Sequence, residues 1–308
     1  MLGMVYAGEL PLRVALAVSI LILLLLIVYP IVLLITLGSA QLASALSVGS
    51  FIDAIEVTVI MSTLSALVAI VMGTPLAYLL ARYEFRFKQI LDSIIDIPIM
   101  VPHIIVGIMI VLAFASRYNI IFNTLNLIAR KLMLIDTALS RYGLLHALLS
   151  PVVNALVNLL TGITGIRFVN TLWGAVAAVA FLSSTYYIRV VEAAISMVNP
   201  EMEIVARTLG ASPSRVFISI TLPKVWKAMA NGALLSWARS VSEAGALFIV
   251  AYSIYFNGNY IYPASVYIYE SYVGVGLANA VKYSAALLII VLIIFVAYRV
   301  ALGIKRGG

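Results

Sequence analysis

The chain has 308 residues, is 64% hydrophobic and only 10% charged, and carries a formal net charge of +7. Soluble domains run nearer about 45–50% apolar and about 25% charged, so the composition excludes an ordinary soluble fold and indicates an integral membrane protein. There is no cysteine, which excludes a disulfide framework, a thiolate metal site and a cysteine nucleophile; the positive balance needs no nucleic acid, because Lys and Arg gather at the inner ends of spans.

The apolar runs are long enough for helices that cross a bilayer, about 20 residues each, and lack the period-2 pattern of a barrel. Span 1 is expected at residues 12–37, as a true span rather than a removable signal peptide, with a Ser/Gly/Gln-bearing loop at 38–49. Span 2 covers 54–81 and ends in the basic "RYEFRFK" at 82–88. Span 3 covers 94–115 and contains Pro98 and Pro102, which predicts an irregular start. Spans 4, 5 and 6 cover 172–191, 225–251 and 276–301. The intervening 117–170 is amphipathic at first and then, over 143–166, uncharged and long enough to be another span. The preferred reading is six spans with this region lying at the outer surface. With the termini inside, Arg13, Arg82, Arg86, Lys88, Arg189, Arg207, Arg215, Lys224, Lys227, Lys305 and Arg306 are internal; Arg117, Arg130, Lys131, Arg141 and Arg167 are external. Eleven against five favours a cytoplasmic C-terminus.

Between spans 4 and 5 lies a polar element, residues 199–223. Asn199 caps a helix, Pro200 fits its first position, and Glu201 and Glu203 suit the positive end of its dipole. Met202, Val205 and Leu209 form an apolar stripe, Gly210 ends the helix, and Ser212-Pro213 restarts a second helix closed by Pro223. The residues alone allow a plain connecting hairpin, a DNA-binding helix-turn-helix, or a docking knob for a soluble partner's groove. Tethers at both ends and the shortage of free basic side chains disfavour the DNA reading.

"ARTLGASPSRVFISITLP" resembles the cytoplasmic EAA loop of permease subunits of ATP-binding-cassette importers, in which a Gly is followed ten residues later by Ile and thirteen later by Pro. Gly210, Ile220 and Pro223 stand at those spacings. The chain departs at the triplet itself: Ile204 and Val205 replace Glu and the first Ala, Ala206 is kept, and Glu203 sits one residue early. The stretch 73–108 resembles the second and third core helices of the family, and 237–252 and 262–272 resemble its tetrahedral-oxyanion subgroup, chiefly tungstate and molybdate permeases, with sulfate permeases close by. Residues 117–140 look like an insertion.

The resemblance implies an all-α, polytopic membrane bundle of about six helices with the MetI-like permease fold, one transmembrane domain over 1–308, in the cell membrane. It implies a homodimer bearing two ATPase subunits on the inner side and an oxyanion-binding protein outside. ATP and Mg are used by the ATPase, no cofactor is bound by this chain, and lipid surrounds it. The coupling residues implied are Met202, Glu203, Val205, Ala206, Leu209, Gly210, Ala211, Ser212, Ile220 and Pro223. The departure at the triplet shifts the expected weight from the acid to the apolar face and Gly210. Sulfate, phosphate or iron is the alternative solute; an ion-gradient-driven secondary transporter is the alternative class, although no internal duplication supports it.

Arg239 and Glu243, at i, i+4 inside span 5, share one face and can pair. Charges there cost a few kcal/mol and must face protein or water. They are read either as a structural ion pair or, with Ser242, as part of the pathway; Met100 and Pro102 are candidate gate positions. His103 and His146 have no carboxylate at ligand spacing, so no metal site is expected. The tyrosines of 252–272 read as an interfacial belt or as a contact for the binding protein. No G-x-x-x-x-G-K-[ST] occurs, and "GVGLAN" misses the dinucleotide pattern, so ATP hydrolysis is expected in another chain.

Overall fold

The computed structural model describes residues 10–114, 119–141, 143–164 and 168–304. Arg117, Arg167, Lys305 and Arg306 of the charge comparison, and the first residues of the expected 117–140 insertion, lie outside the described residues. The chain divides into two compact units, one drawn from both ends of the sequence and one made of residues 53–266.

The first unit contains α1 (Leu10–Ser39), the short α2 (Leu42–Leu46), the start of α3 (Gly49–Arg82), most of α13 (Ala264–Gly274), and α14 (Leu277–Ile304). The expected loop at 38–49 thus holds one extra helical turn, in which Ala45 is buried. Its core is small and aromatic: Phe51 is buried against Tyr267 and Tyr283, with ring centroids 5.5 and 4.6 Å away. α1 and α14 close on each other where Gly38 meets Ala285, leaving no room for a Cβ. Most other α1 side chains are apolar and exposed, as a lipid-facing helix requires.

The second unit is built on α3 and α8 (Leu172–Ser196). Its first apolar cluster includes Val57, Met61, Val106, Val179, Leu247 and Val250; its second includes Leu80, Ile95, Tyr187, Ile188, Val191 and Val225. Small polar side chains stitch the helices between these clusters. Ser65 reaches Ser183 (3.0 Å) and Ser240 (3.2 Å), and the buried Tyr187 hydroxyl meets Thr74 at 2.6 Å. Such hydroxyls satisfy one another without introducing charge, which suits a core with no water to spare.

Two expected spans are broken. Span 3 is replaced by α4 (Lys88–Met100) and α5 (His103–Phe114), bent by 116° at Val101–Pro102. Pro102 cannot donate a backbone hydrogen bond and biases Val101 to extended backbone, ψ 133°, so the helix must restart. Span 5 is α11 (Leu222–Val241), a break over 242–246, and the single turn α12 (Leu247–Val250). Among the described residues four helices, α1, α3, α8 and α14, are long and apolar enough to cross a membrane alone, or five if the bent α4–α5 pair is one span. α11 falls short of that test because it carries Lys224, Lys227 and Arg239, yet it packs along α8.

The long segment after α5 forms a helical hairpin, α6 (Ile120–Leu139) packed on α7 (Gly143–Thr164). Within α7 the apolar part is Leu149–Gly162, shorter than a span. After α12, β1 (Ile254–Phe256) pairs antiparallel with β2 (Asn259–Ile261) in the register Ile254–Ile261 and Phe256–Asn259. Asn257 and Gly258 both have positive φ, 49° and 86°, the geometry of a two-residue hairpin turn.

Candidate functional site

The element 199–223 folds as its caps dictate at its start. The Asn199 side chain accepts from the Glu201 N–H at 2.9 Å, and α9 runs Pro200–Thr208. The helix ends in a Schellman motif: the Gly210 N–H donates to Arg207 O and the Ala211 N–H to Ala206 O, both at 3.0 Å. Gly210 has φ +88°, the left-handed conformation glycine adopts without a Cβ penalty. Ser212 then accepts from the Arg215 N–H at 3.4 Å and starts α10 (Pro213–Val216).

The second helix does not end at Pro223. α10 passes through a π turn (Phe217–Thr221) straight into α11, with Pro223 in its first turn. In a regular helix the ring of Pro223 would press on the carbonyl one turn back and leave it without a donor; the wider π turn relieves both. α10, the π turn and α11 thus form one continuous helical rod, separated from α9 by residues 209–212.

The stripe expected to dock is open to solvent: Met202, Val205 and Leu209 are exposed, Leu209 by 84%. Ile204 and Ile218 are exposed beside it, whereas Ala206, Ala211 and Ile220 are half-buried. Glu203 faces the other way and is 5% exposed. Its Oε1 accepts from Arg82 Nε (3.0 Å) and from the Thr221 hydroxyl (2.7 Å), and its Oε2 accepts from the Tyr78 hydroxyl (3.1 Å). Arg82 also donates to Val198 O at 2.8 Å. Burial raises the Glu203 pKa, but hydrogen bonds from Thr221, Arg82 and Tyr78 outweigh it, so the carboxyl is held below the usual range. Glu203 is therefore withdrawn from the exposed face: it ties α9 to the end of α3 and to the π turn.

The second polar site lies where the two helix breaks meet. A Cβ on Gly245 would come within 2.8 Å of the His103 Cβ, and one on Gly107 within 2.8 Å of the Ala246 carbonyl oxygen. Arg239 Nη2 lies 2.7 Å from His103 Nε2 and 3.1 Å from Glu243 Oε2, which is itself 3.1 Å from His103 Nδ1. The Glu243 side chain is fully buried. Its Oε1 accepts from the Ala246 N–H at 2.9 Å, while Oε2 has one Arg239 and one His103 nitrogen at 3.1 Å but no aligned hydrogen bond. Ser242 is exposed, 3.3 Å from Arg239 Nη1, and Ser265 donates to Glu243 O at 2.5 Å.

Sequence spacing found the Arg239–Glu243 pair but missed His103, which is 136 positions from Arg239 and reaches it only through the two breaks. Met100 and Pro102 are exposed on the approach to His103. His146 lies away from this cluster, 3.5 Å from Asp136 in the α6–α7 hairpin. An open groove of about 800 Å3 is lined by Val68, Phe168, Trp173, Val176 and Ala180; the described residues that line it carry no charge and suit hydrocarbon rather than an ion.

Residues 73–306 match the family described as binding-protein-dependent transport system inner membrane component. The chain belongs to that family. It is a transport subunit of the ATP-binding-cassette type, multi-pass in the membrane, and the secondary-transporter alternative drops away. Among its relatives, the molybdate/tungstate transport system permease protein of Pyrococcus furiosus is 31% identical over 83% of this chain and 80% of its own length. A sulfate transport system permease protein of Synechococcus elongatus is 25% identical over 79% of this chain and 73% of its own. The crystal structure of a bacterial ABC transporter involved in the import of the acidic polysaccharide alginate superposes with a TM-score of 0.63 at 17% identity, covering 98% of both chains. That similarity establishes the MetI-like fold.

Proposed function

We propose that the chain is the permease subunit of an ATP-driven importer for a tetrahedral oxyanion, molybdate or tungstate before sulfate, handed over by an extracytoplasmic binding protein. Two copies form the pathway. Two ATPase subunits dock on residues 199–223 from the cytoplasm, where the C-terminus also lies, and they rather than this chain use ATP and Mg. The observation that carries this reading is the capped α9, whose apolar face is open while its opposite face is bound through Glu203 to α3 and the π turn. A helix held in that way transmits a push from a partner's groove into the membrane helices rather than absorbing it. Met202, Val205, Leu209 and Gly210 form the docking face, and Glu203 is the anchor behind it. Support for the anion class comes from the names of the relatives and from Arg239, a cation placed among apolar helices. The exposed tyrosines of the β1–β2 hairpin, Tyr255 and Tyr260, are offered as contacts for the binding protein.

The test is uptake of labelled tungstate, molybdate and sulfate into proteoliposomes holding the permease, its ATPase and the binding protein. Uptake that needs both ATP and the binding protein, with tungstate or molybdate taken in preference to sulfate, is expected. A preference for sulfate would move the assignment to the sulfate group, and uptake indifferent to ATP would overturn the importer reading.

A further inference from the structure

The Arg239–His103–Glu243 cluster is built unlike a structural ion pair. A lock would meet both carboxylate oxygens with aligned donors. Here only Nη2 approaches Glu243, and it is shared with His103, while the other carboxylate oxygen is taken by a backbone N–H. Arg239 Nη2 lies within reach of both ring nitrogens of His103, 2.7 Å from Nε2 and 3.1 Å from Nδ1, so its protons are divided between the imidazole and Glu243. Glu243 Oε2 is left without an aligned donor.

The cluster also has an open side. His103 and Ser242 are accessible, Arg239 is partly so, and Met100 and Pro102 stand free beside them. Arg239 comes twelve residues, about 18 Å of helix, after Lys227, the last basic residue before it on α11. If Lys227 marks the inner interface, that rise carries Arg239 about halfway across a hydrocarbon core of about 30 Å. A guanidinium at that depth with an accessible edge must face water rather than lipid.

We infer that the open side of this cluster is an oxyanion-binding position within the membrane, formed by Arg239 and His103 with Ser242 at its rim, and that Glu243 is its internal competitor. This rests on the permease reading of the chain. An arriving tetrahedral dianion draws Arg239 away from Glu243 Oε2; when it departs, the carboxylate takes the guanidinium back and the charge is again neutralised internally. Glu243 stays anchored throughout by the Ala246 N–H, so the exchange moves one long side chain and no backbone.

The absence of cysteine from the chain makes a direct test available, because Ser242→Cys introduces a unique thiol into an otherwise unaltered protein. The full-length variant, held in nanodiscs with its ATPase partner, is treated with an anionic thiosulfonate reagent with and without tungstate. Tungstate is expected to slow the modification, whereas chloride at equal ionic strength does not. Adding Glu243→Gln should lower the tungstate concentration for half-protection severalfold, since the competitor's charge is gone. Arg239→Lys should raise it about tenfold, because a point charge replaces the fork. Should Arg239→Lys fail to assemble, the Glu243→Gln comparison still decides. No tungstate protection in a complex whose wild type imports tungstate would overturn this inference and leave the permease reading standing; so would Glu243→Gln weakening the protection. Failure of the wild type to import any oxyanion would remove both.

Discussion

Residues 53–266 hold two buried glutamates, each facing an arginine, and the two are satisfied in opposite ways. Around Glu203 every contact is an aligned hydrogen bond, from Arg82, Thr221 and Tyr78 at 2.7–3.1 Å. Around Glu243 one oxygen is bonded to a backbone N–H, and the other has only an Arg239 and a His103 nitrogen at 3.1 Å, neither aligned as a hydrogen bond. Burial and charge pairing are common to both, so neither distinguishes a lock from a latch. The completeness of the hydrogen bonding does, because an ion pair inside protein stabilises only when its remaining lone pairs are met. The Glu203 cluster, on the side proposed to face the cytoplasm, is a rigid mount, and the intramembrane one can exchange partners.

The largest effect expected from this contrast is on stability. Glu203→Gln leaves Arg82 buried without its counter-charge and should cost about 3 kcal/mol, the range found when one partner of a buried pair is removed. Glu243→Gln keeps the acceptor for the Ala246 N–H and should cost less than half as much. Thermal unfolding of the detergent-purified chains checks this, and equal losses would erase the distinction. The Glu203 contribution also has a sign in pH. Its folded pKa lies below the ordinary value, so the unfolded chain takes up protons first as pH falls. The stabilisation is complete above the ordinary carboxylate range and is lost as pH falls through it toward the lowered folded pKa; the Glu203→Gln variant should lack that limb of the profile.

The legibility of the two clusters in the sequence differs for the same physical reason. The caps of 199–223 are local, so Asn199, Gly210 and Ser212 could be read directly, and the i, i+4 pair of Arg239 and Glu243 likewise. Helical periodicity placed Met202, Val205 and Leu209 on one stripe, but it cannot say which side of an amphipathic helix meets its own protein. Here the side bearing Glu203 does, because Arg82 and Thr221 wait there. The hairpin after α12 was announced by Asn257-Gly258, a signal the aromatic-belt reading passed over. His103 had no local signal, and only the approach of Gly107 and Gly245 across the breaks brings it to Arg239. Gly107→Ala should therefore cost about 1–3 kcal/mol, because its Cβ meets backbone that cannot step aside. If the approach of the two breaks builds the cluster, Gly107→Ala should also weaken tungstate protection of the Ser242→Cys thiol. Retained protection would mean that the cluster does not depend on that packing.

The smallest stability effect is expected at Gly210, although its functional consequence need not be small. No atom lies within 4 Å of a Cβ built there, so the whole cost of Gly210→Ala is the left-handed backbone, about 1 kcal/mol. That cost falls on the two bonds of the Schellman motif, which set the angle between α9 and α10, and not on the Glu203 mount. Hydrogen exchange at the Gly210 and Ala211 amides should accelerate while the global melting point barely moves. In the reconstituted complex, stimulation of the ATPase by the loaded binding protein should fall with it. Gly210→Asn is the control, because asparagine tolerates positive φ better than alanine. It should recover most of both signals if conformation is the cause. If Ala and Asn behave alike, the loop depends on glycine for room against its partner rather than for its φ, and the rigid mount behind it is then the only part of the coupling element that the backbone itself enforces.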